Sequence, residues 1–225
     1  MIKIQNLSKQ YENASGIIQV VLEGIDLNIE QGESIAIVGP SGSGKSSLLN
    51  ILGTLDRATS GSVLLNEKDL GQLSEKEYPG IRNTEIGFVF QQHHLLPQLS
   101  LLENILLAVL PLKSAKRTDE AKKRAEKLME AVGLTDKTDQ LPGQCSVGEC
   151  QRVAVVRALI NQPKVVLADE PTGSLDEQSA NDLVNLLAEL NREQKSTLIM
   201  VTHSMELAKK MKKIYRLSNK KLEQL

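Results

Sequence analysis

The chain has 225 residues, 40% of them apolar, and its 27 basic against 28 acidic side chains leave a net charge of −1. That balance, with only 2% aromatic residues, excludes the basic, base-stacking surface that nucleic-acid binding requires. The longest apolar run, residues 105–110, is far short of the ~20 residues that cross a bilayer, and "MIKIQNLSKQ" has no leader pattern, so a soluble cytoplasmic protein is expected.

In chain order, the first third reads as strands. Residues 25–30 alternate Ile25, Leu27 and Ile29 with Asp26, Asn28 and Glu30, the period of a half-buried strand. "SIAIV" (34–38) is a continuous apolar run, as in a strand covered on both faces. "SGSVLLN" and "IGFVF" are further strand candidates. Over 118–133, Ala121, Ala125, Leu128, Met129 and Val132 fall at helical spacing and Gly133 stops the helix. A helix over about 147–161 follows, then strand "VVLAD", a helix over 177–194, strand "TLIMVTH", a helix, and strand "KIYRLSN". Strands alternating with helices imply an α/β fold whose parallel sheet is covered on both sides. The expected division is an α/β core of residues 1–91 and 160–225, with a helical insertion at 92–159.

Two segments carry chemistry. "GPSGSGKSS" (39–47) follows the buried strand and opens a helix, and it satisfies G-x-x-x-x-G-K-[ST] through Gly39, Gly44, Lys45 and Ser46. Phosphate oxygens need a concave run of backbone N–H groups at a helix N-terminus. Lys45 is expected to reach the β- and γ-phosphates, and the Ser46 hydroxyl to ligate Mg²⁺. "VVLADEP" (165–171) brings Asp169 to the C-terminal end of a buried strand, suited to hold that ion through water, with Glu170 beside it to polarise an attacking water.

A third segment, "CSVGECQR" (145–152), resembles the L-S-G-G-x-x-Q-R signature of ABC-type ATPases, with Cys145 at the Leu position and Val147 at the first Gly. The other parts of that family's pattern occur in order: Gln91 in "GFVFQQ", "GSLD" (173–176), His203 in "VTHS", and Tyr11 at the place of the aromatic that stacks on adenine. "GPSGSGKSSLLNILGTLD", "RNTEIGFVFQQHHLLPQLSLLEN" and "LADEPTGSLD" resemble the lipoprotein-releasing (LolD-type) and macrolide-export (MacB-type) group.

The resemblance implies a P-loop NTPase core with an N-terminal antiparallel β subdomain and an inserted α-helical subdomain. Catalysis would rest on Lys45, Gln91, Glu170 and His203. ATP would be held by Tyr11, Gly39, Pro40, Ser41, Gly42, Ser43, Gly44, Lys45, Ser46 and Ser47, with Ser146, Gly148, Glu149 and Asp176 acting across a head-to-tail dimer. Mg²⁺ would sit on Ser46, Gln91 and Asp169. The dimer would be of two like chains, or of this chain with a second ATPase subunit, working on separate integral-membrane permease subunits at the cytoplasmic face of the inner membrane. The same text fits a regulatory ATPase that signals through a membrane partner, as in cell division, and only the partner separates the two. A DNA-structure ATPase would insert heptad coiled coils, which residues 92–145 lack.

Smaller features have competing readings. Leu95, Leu96, Pro97, Leu99 and Leu101 suit either core or the surface that receives a helix of the membrane partner. His93 and His94 read as loop residues and not as metal ligands. Cys145 and Cys150 read as free thiols, and the first-turn position of Cys150 favours a reactive thiolate. Val147 at a helix start needs only ordinary negative φ, so a working signature is expected.

Overall fold

The computed structural model describes residues 1–112 and 115–225. Strand β1 (Ile2–Glu12) pairs antiparallel with β2 (Ile18–Ile29), burying Ile2, Ile4 and Leu7 against Leu22, Ile25, Leu27 and Ile29. β3 (Ser34–Val38) is buried along its whole length and runs through residues 39–44 into α1 (Lys45–Leu52). β4 (Ser60–Leu65) and β5 (Lys68–Asp69) complete a four-stranded antiparallel sheet of order β2-β1-β4-β5.

α2 (Tyr78–Thr84) then leads to β6 (Ile86–Val89). A helical stretch follows. α3 (Leu101–Leu106) opens on a capping box in which Ser100 Oγ accepts from Glu103 N–H and the Glu103 carboxylate accepts from Ser100 N–H. α4 (Ala115–Ala131) turns Ala121, Ala125, Leu128 and Met129 inward, and Gly133 ends it at φ +70°. α5 (Val147–Leu159) leads to β7 (Val165–Asp169), α6 (Glu177–Gln194), β8 (Thr197–Thr202), α7 (Met205–Ala208), β9 (Lys213–Ser218) and β10 (Lys221–Gln224). The second sheet has order β10-β9-β3-β8-β7-β6, parallel from β9 to β6, with β10 antiparallel at one edge.

The period-2 alternation of β3, β7 and β8 divides the core in two. Ile35, Ile37, Val165, Leu167, Ile199 and Val201 face α1 and the antiparallel sheet. Ala36, Val38, Val166, Ala168, Leu198 and Met200 face α5, α6 and the helical stretch, whose Ile105, Ala125 and Met129 belong to the same continuous cluster. The expected α/β architecture, with an antiparallel β part and a helical insert, is therefore the one observed. Among the described residues no helix is long and apolar enough to cross a membrane.

Five elements, β1, α2, α3, β5 and β10, have no specific counterpart in the sequence expectations. In β1 the alternation is interrupted between Ile4 and Leu7, where an extra residue is accommodated and Asn6 takes φ +47°. The apolar cluster after β6 divides. Leu95 and Leu101 are core, whereas Leu96 is 42% exposed. Buried Asn104 fixes the turn between them: its Nδ2 donates to the Leu96, Leu99 and Ser100 carbonyls, and its Oδ1 accepts from Leu96 N–H.

Candidate functional site

The loop between β3 and α1 is held by backbone that only particular residues allow. Gly44 sits at φ +102°, a conformation disfavoured for L side chains, immediately before α1. A Cβ at Gly39 would collide with the Leu217 carbonyl of β9, so that position has no room for a side chain. The α1 N–H groups and the loop face a cleft of about 530 Å³. Its lining includes Ser41, Gly42, Gly44, Lys45, Ser46 and Ser47 from this loop, with Gln91, Glu170 and His203 from three other strand ends.

Lys45 is buried, and its Nζ donates to the Gly39 and Pro40 carbonyls at 3.0 and 3.1 Å, with Glu170 Oε1 3.9 Å away. Ser46 Oγ donates to Asp169 Oδ1 at 3.0 Å, joining the first turn of α1 to the end of β7. Burial pushes the Asp169 carboxyl above its ordinary range, opposed by that Ser46 bond, while the neighbouring Glu170 charge adds to the rise. Glu170 itself stands at φ +46°, a backbone state that costs a residue with a Cβ of order 1 kcal/mol or more. Its N–H donates to the Val201 carbonyl at 3.0 Å, and its Oε2 lies 2.9 Å from His203 Nδ1. His203 directly follows β8, so adjacent parallel strands deliver both partners.

Gln91 follows β6, and its side chain lies on Gly173, where an added Cβ would stand 2.5 Å from Gln91 Nε2 and 3.0 Å from its Cγ. Gly173 and Val21 line the cleft although neither was among the expected site residues. Val21 packs under Gly44, a contact no local motif encodes. Tyr11 is 40% exposed beside the cleft, and its phenol lies 3.3 Å from Ser47 Oγ.

The segment 145–152 lies apart from this lining. Ser146 is the N-cap of α5: its Oγ accepts from Glu149 N–H at 3.2 Å, and the Glu149 carboxylate accepts from Ser146 N–H at 2.8 Å. The helix offers no acceptor to the first-turn N–H groups of Val147 and Gly148. Val147 is the first residue of α5, lies outside the positive-φ positions, and is 51% exposed. Lys137 Nζ pairs with Glu149 Oε1 at 2.6 Å, and that bond, with the Ser146 cap, holds the Glu149 carboxyl down at about 2. Asp176 caps α6, accepting from Ser179 N–H and Oγ.

α5 is bonded to the stretch around Gln91. Gln151 Nε2 donates to the Phe90 carbonyl at 2.6 Å, and the Arg157 guanidinium donates to the His93 and His94 carbonyls at 2.6 and 2.9 Å. His93 Nδ1 accepts from Leu95 N–H, and the His94 ring meets Phe90 edge-on. The expectation of a reactive Cys150 is overturned. Its thiol is buried against the Pro142 carbonyl, and burial raises its pKa despite the helix terminus; Cys145 is raised for the same reason.

A model of the family described as ABC transporter matches residues 22–173. The chain is 48% identical to the lipoprotein-releasing system ATP-binding protein LolD 1 of Rhodopirellula baltica, over 96% of this chain and 93% of that protein. It is 46% identical to LolD of Saccharophagus degradans, over 96% and 94% of the two chains. It resembles the dimeric, post-hydrolysis structure of the ATP-binding cassette MJ0796 bound to ADP and Pi, with a TM-score of 0.86 and 37% identity over 100% of this chain and 99% of that one.

Proposed function

The chain belongs to the ABC transporter family, and on that premise we propose that it is the ATP-hydrolysing subunit of a lipoprotein-releasing transporter, closing as a dimer around nucleotide to drive a separate membrane permease. The relatives' names support the lipoprotein-releasing and ATP-binding part of this reading, and the family match supports a transporter. The dimeric cassette supports the nucleotide-bound dimer. Such a subunit would sit peripherally on the cytoplasmic face of the inner membrane.

The observation that carries the chemistry is Glu170, held at strained φ with Lys45 Nζ 3.9 Å from one carboxylate oxygen and His203 Nδ1 2.9 Å from the other. Strain of this kind persists where the surroundings over-determine it, and it collects at reacting centres. In this reading Lys45 exchanges its loop carbonyls for phosphate oxygens, and the loop N–H groups and the α1 terminus orient the phosphates. Glu170 accepts a proton from the attacking water, and His203, with its proton on Nδ1, holds that carboxylate in line. Ser146 and the Val147 and Gly148 N–H groups of one subunit complete the partner's site.

Hard oxygen donors suit Mg²⁺, and Ser46 Oγ and Asp169 Oδ1, 3.0 Å apart, would hold it, with the Gln91 amide oxygen of the same cleft as a third donor. Few protein ligands are expected where substrate phosphates fill the remaining positions. When bound, the ion would neutralise charge on the phosphate oxygens.

Glu170→Gln should bind ATP, hydrolyse it at least ~100-fold more slowly and accumulate a dimer on gel filtration with ATP. Lys45→Ala should lose nucleotide binding or turnover while keeping its circular-dichroism spectrum. Wild-type turnover in either variant would remove this assignment.

A further inference from the structure

We propose that Lys9 and Asp56 form a clamp that fixes the Tyr11 ring as a preorganised seat for the adenine base, making both of them positioning residues for nucleotide binding. The inference rests on the nucleotide reading of the cleft given above.

Along β1, residues 9 and 11 share a face, and the register shifts on either side of Lys9 place the extra residue in the facing strand β2, so β1 keeps its period of two there. The Lys9 side chain is only 10% exposed. Its Nζ donates to Asp56 Oδ1 at 2.6 Å and to the Arg57 carbonyl at 2.8 Å, and it stands 4.5 Å from the centroid of the Tyr11 ring. The second Asp56 oxygen accepts the Tyr11 phenol at 2.7 Å, and Oδ1 also accepts the Arg57 N–H at 2.7 Å. One carboxylate is thus shared by the ammonium and the phenol. Asp56 lies just beyond α1, and the phenol is also 3.3 Å from Ser47 Oγ in the first turn of that helix. The seat is therefore tied to the element that carries the phosphate loop.

A lysine brought to 10% exposure loses hydration and rotamer freedom, and its ion pair offsets that cost only with good geometry. What the arrangement achieves is a tyrosine with three fixed contacts at a rim where a free ring would rotate. Lys9 Nζ lies over one part of the ring while Tyr11 as a whole stays 40% exposed, next to Ser47 of the cleft lining. A base stacking there meets a ring whose orientation has already been set. The cation–π contact and the shared carboxylate make that orientation depend on Lys9 as much as on the phenol.

The test is calorimetric titration of the purified chain with MgADP and, separately, with magnesium pyrophosphate, which has no base. Lys9→Met and Tyr11→Phe should weaken MgADP by on the order of fivefold and leave pyrophosphate within about twofold of wild type. Lys9→Arg should retain wild-type ADP affinity, and in turnover assays Lys9→Met should raise KM with kcat unchanged. Should Lys9→Met fail to fold, Asp56→Asn keeps an acceptor for the phenol while removing the anion that holds Lys9, and it should show the same split. Equal weakening of both ligands would mean that Lys9 merely supports the loop, and unchanged ADP affinity would mean that Tyr11 needs no clamp; either overturns the inference. A wild-type chain that binds neither ligand would overturn the nucleotide reading itself.

Discussion

Gly173 illustrates what a single atom decides. Its missing Cβ leaves the space in which the Gln91 side chain lies, and its φ is outside the positive range, so size alone excludes alanine. Gly173→Ala should displace Gln91 and lower ATP turnover by about tenfold, roughly 1.4 kcal/mol of barrier. In a Gln91→Ala background the same change should cost almost nothing, because contacts of this kind are non-additive. Additive losses across that double-mutant cycle would show that Gly173 acts elsewhere. At this scale the loop residues, Asp169 and Glu170 were legible in the sequence because their chemistry is encoded in short spacings. Gly173 stood in a recognised tetrapeptide, yet its reason for being glycine lies in a side chain contributed by another strand. Lys9 and Asp56 were not legible at all, since 47 residues separate them and nothing local marks either as a partner.

The elements show a similar division. α6 was readable to its ends, because Asp176 and the apolar stripe Ala180, Leu183, Val184, Leu187 and Leu190 mark it. β1 was not, because a bulge between Ile4 and Leu7 breaks the alternation that reveals strands. α5 combines a readable stripe with an unreadable cap partner, Lys137, which arrives from a separate turn. Glu149→Ala removes both the capping box and that ion pair, and it should destabilise the chain by about 1–2 kcal/mol in urea unfolding. Glu149→Gln isolates the charge. The folded carboxyl is lowered from 4.5 to about 2, so its contribution is complete above pH 4.5 and disappears as pH falls through about 2. The stability gap between wild type and Glu149→Gln should accordingly close over that window. A gap independent of pH would show that the ion pair contributes no net stability.

For the whole molecule, the division at residues 92–159 is one of sequence and shape more than of core. Leu101, Ile105, Ala125, Met129 and Val153 share one apolar cluster with Ala36, Val166 and Met200 of the parallel sheet. A helical part that borrows its core cannot melt alone, so urea unfolding followed by far-ultraviolet circular dichroism and by tyrosine fluorescence should give coincident transitions. Two separated transitions would reveal an independent helical unit. A linked consequence follows from the Gln151 and Arg157 bonds to the carbonyls of Phe90, His93 and His94. They tie residues 90–94 to α5 through three charge-assisted or buried bonds. A ligand seated at the Ser146 end and a load applied beyond His94 therefore act on one shared coordinate. For two ligands bound at those two places, thermodynamic reciprocity requires each to change the other's affinity by the same factor, whichever arrives first. Such a linkage has gain but no memory.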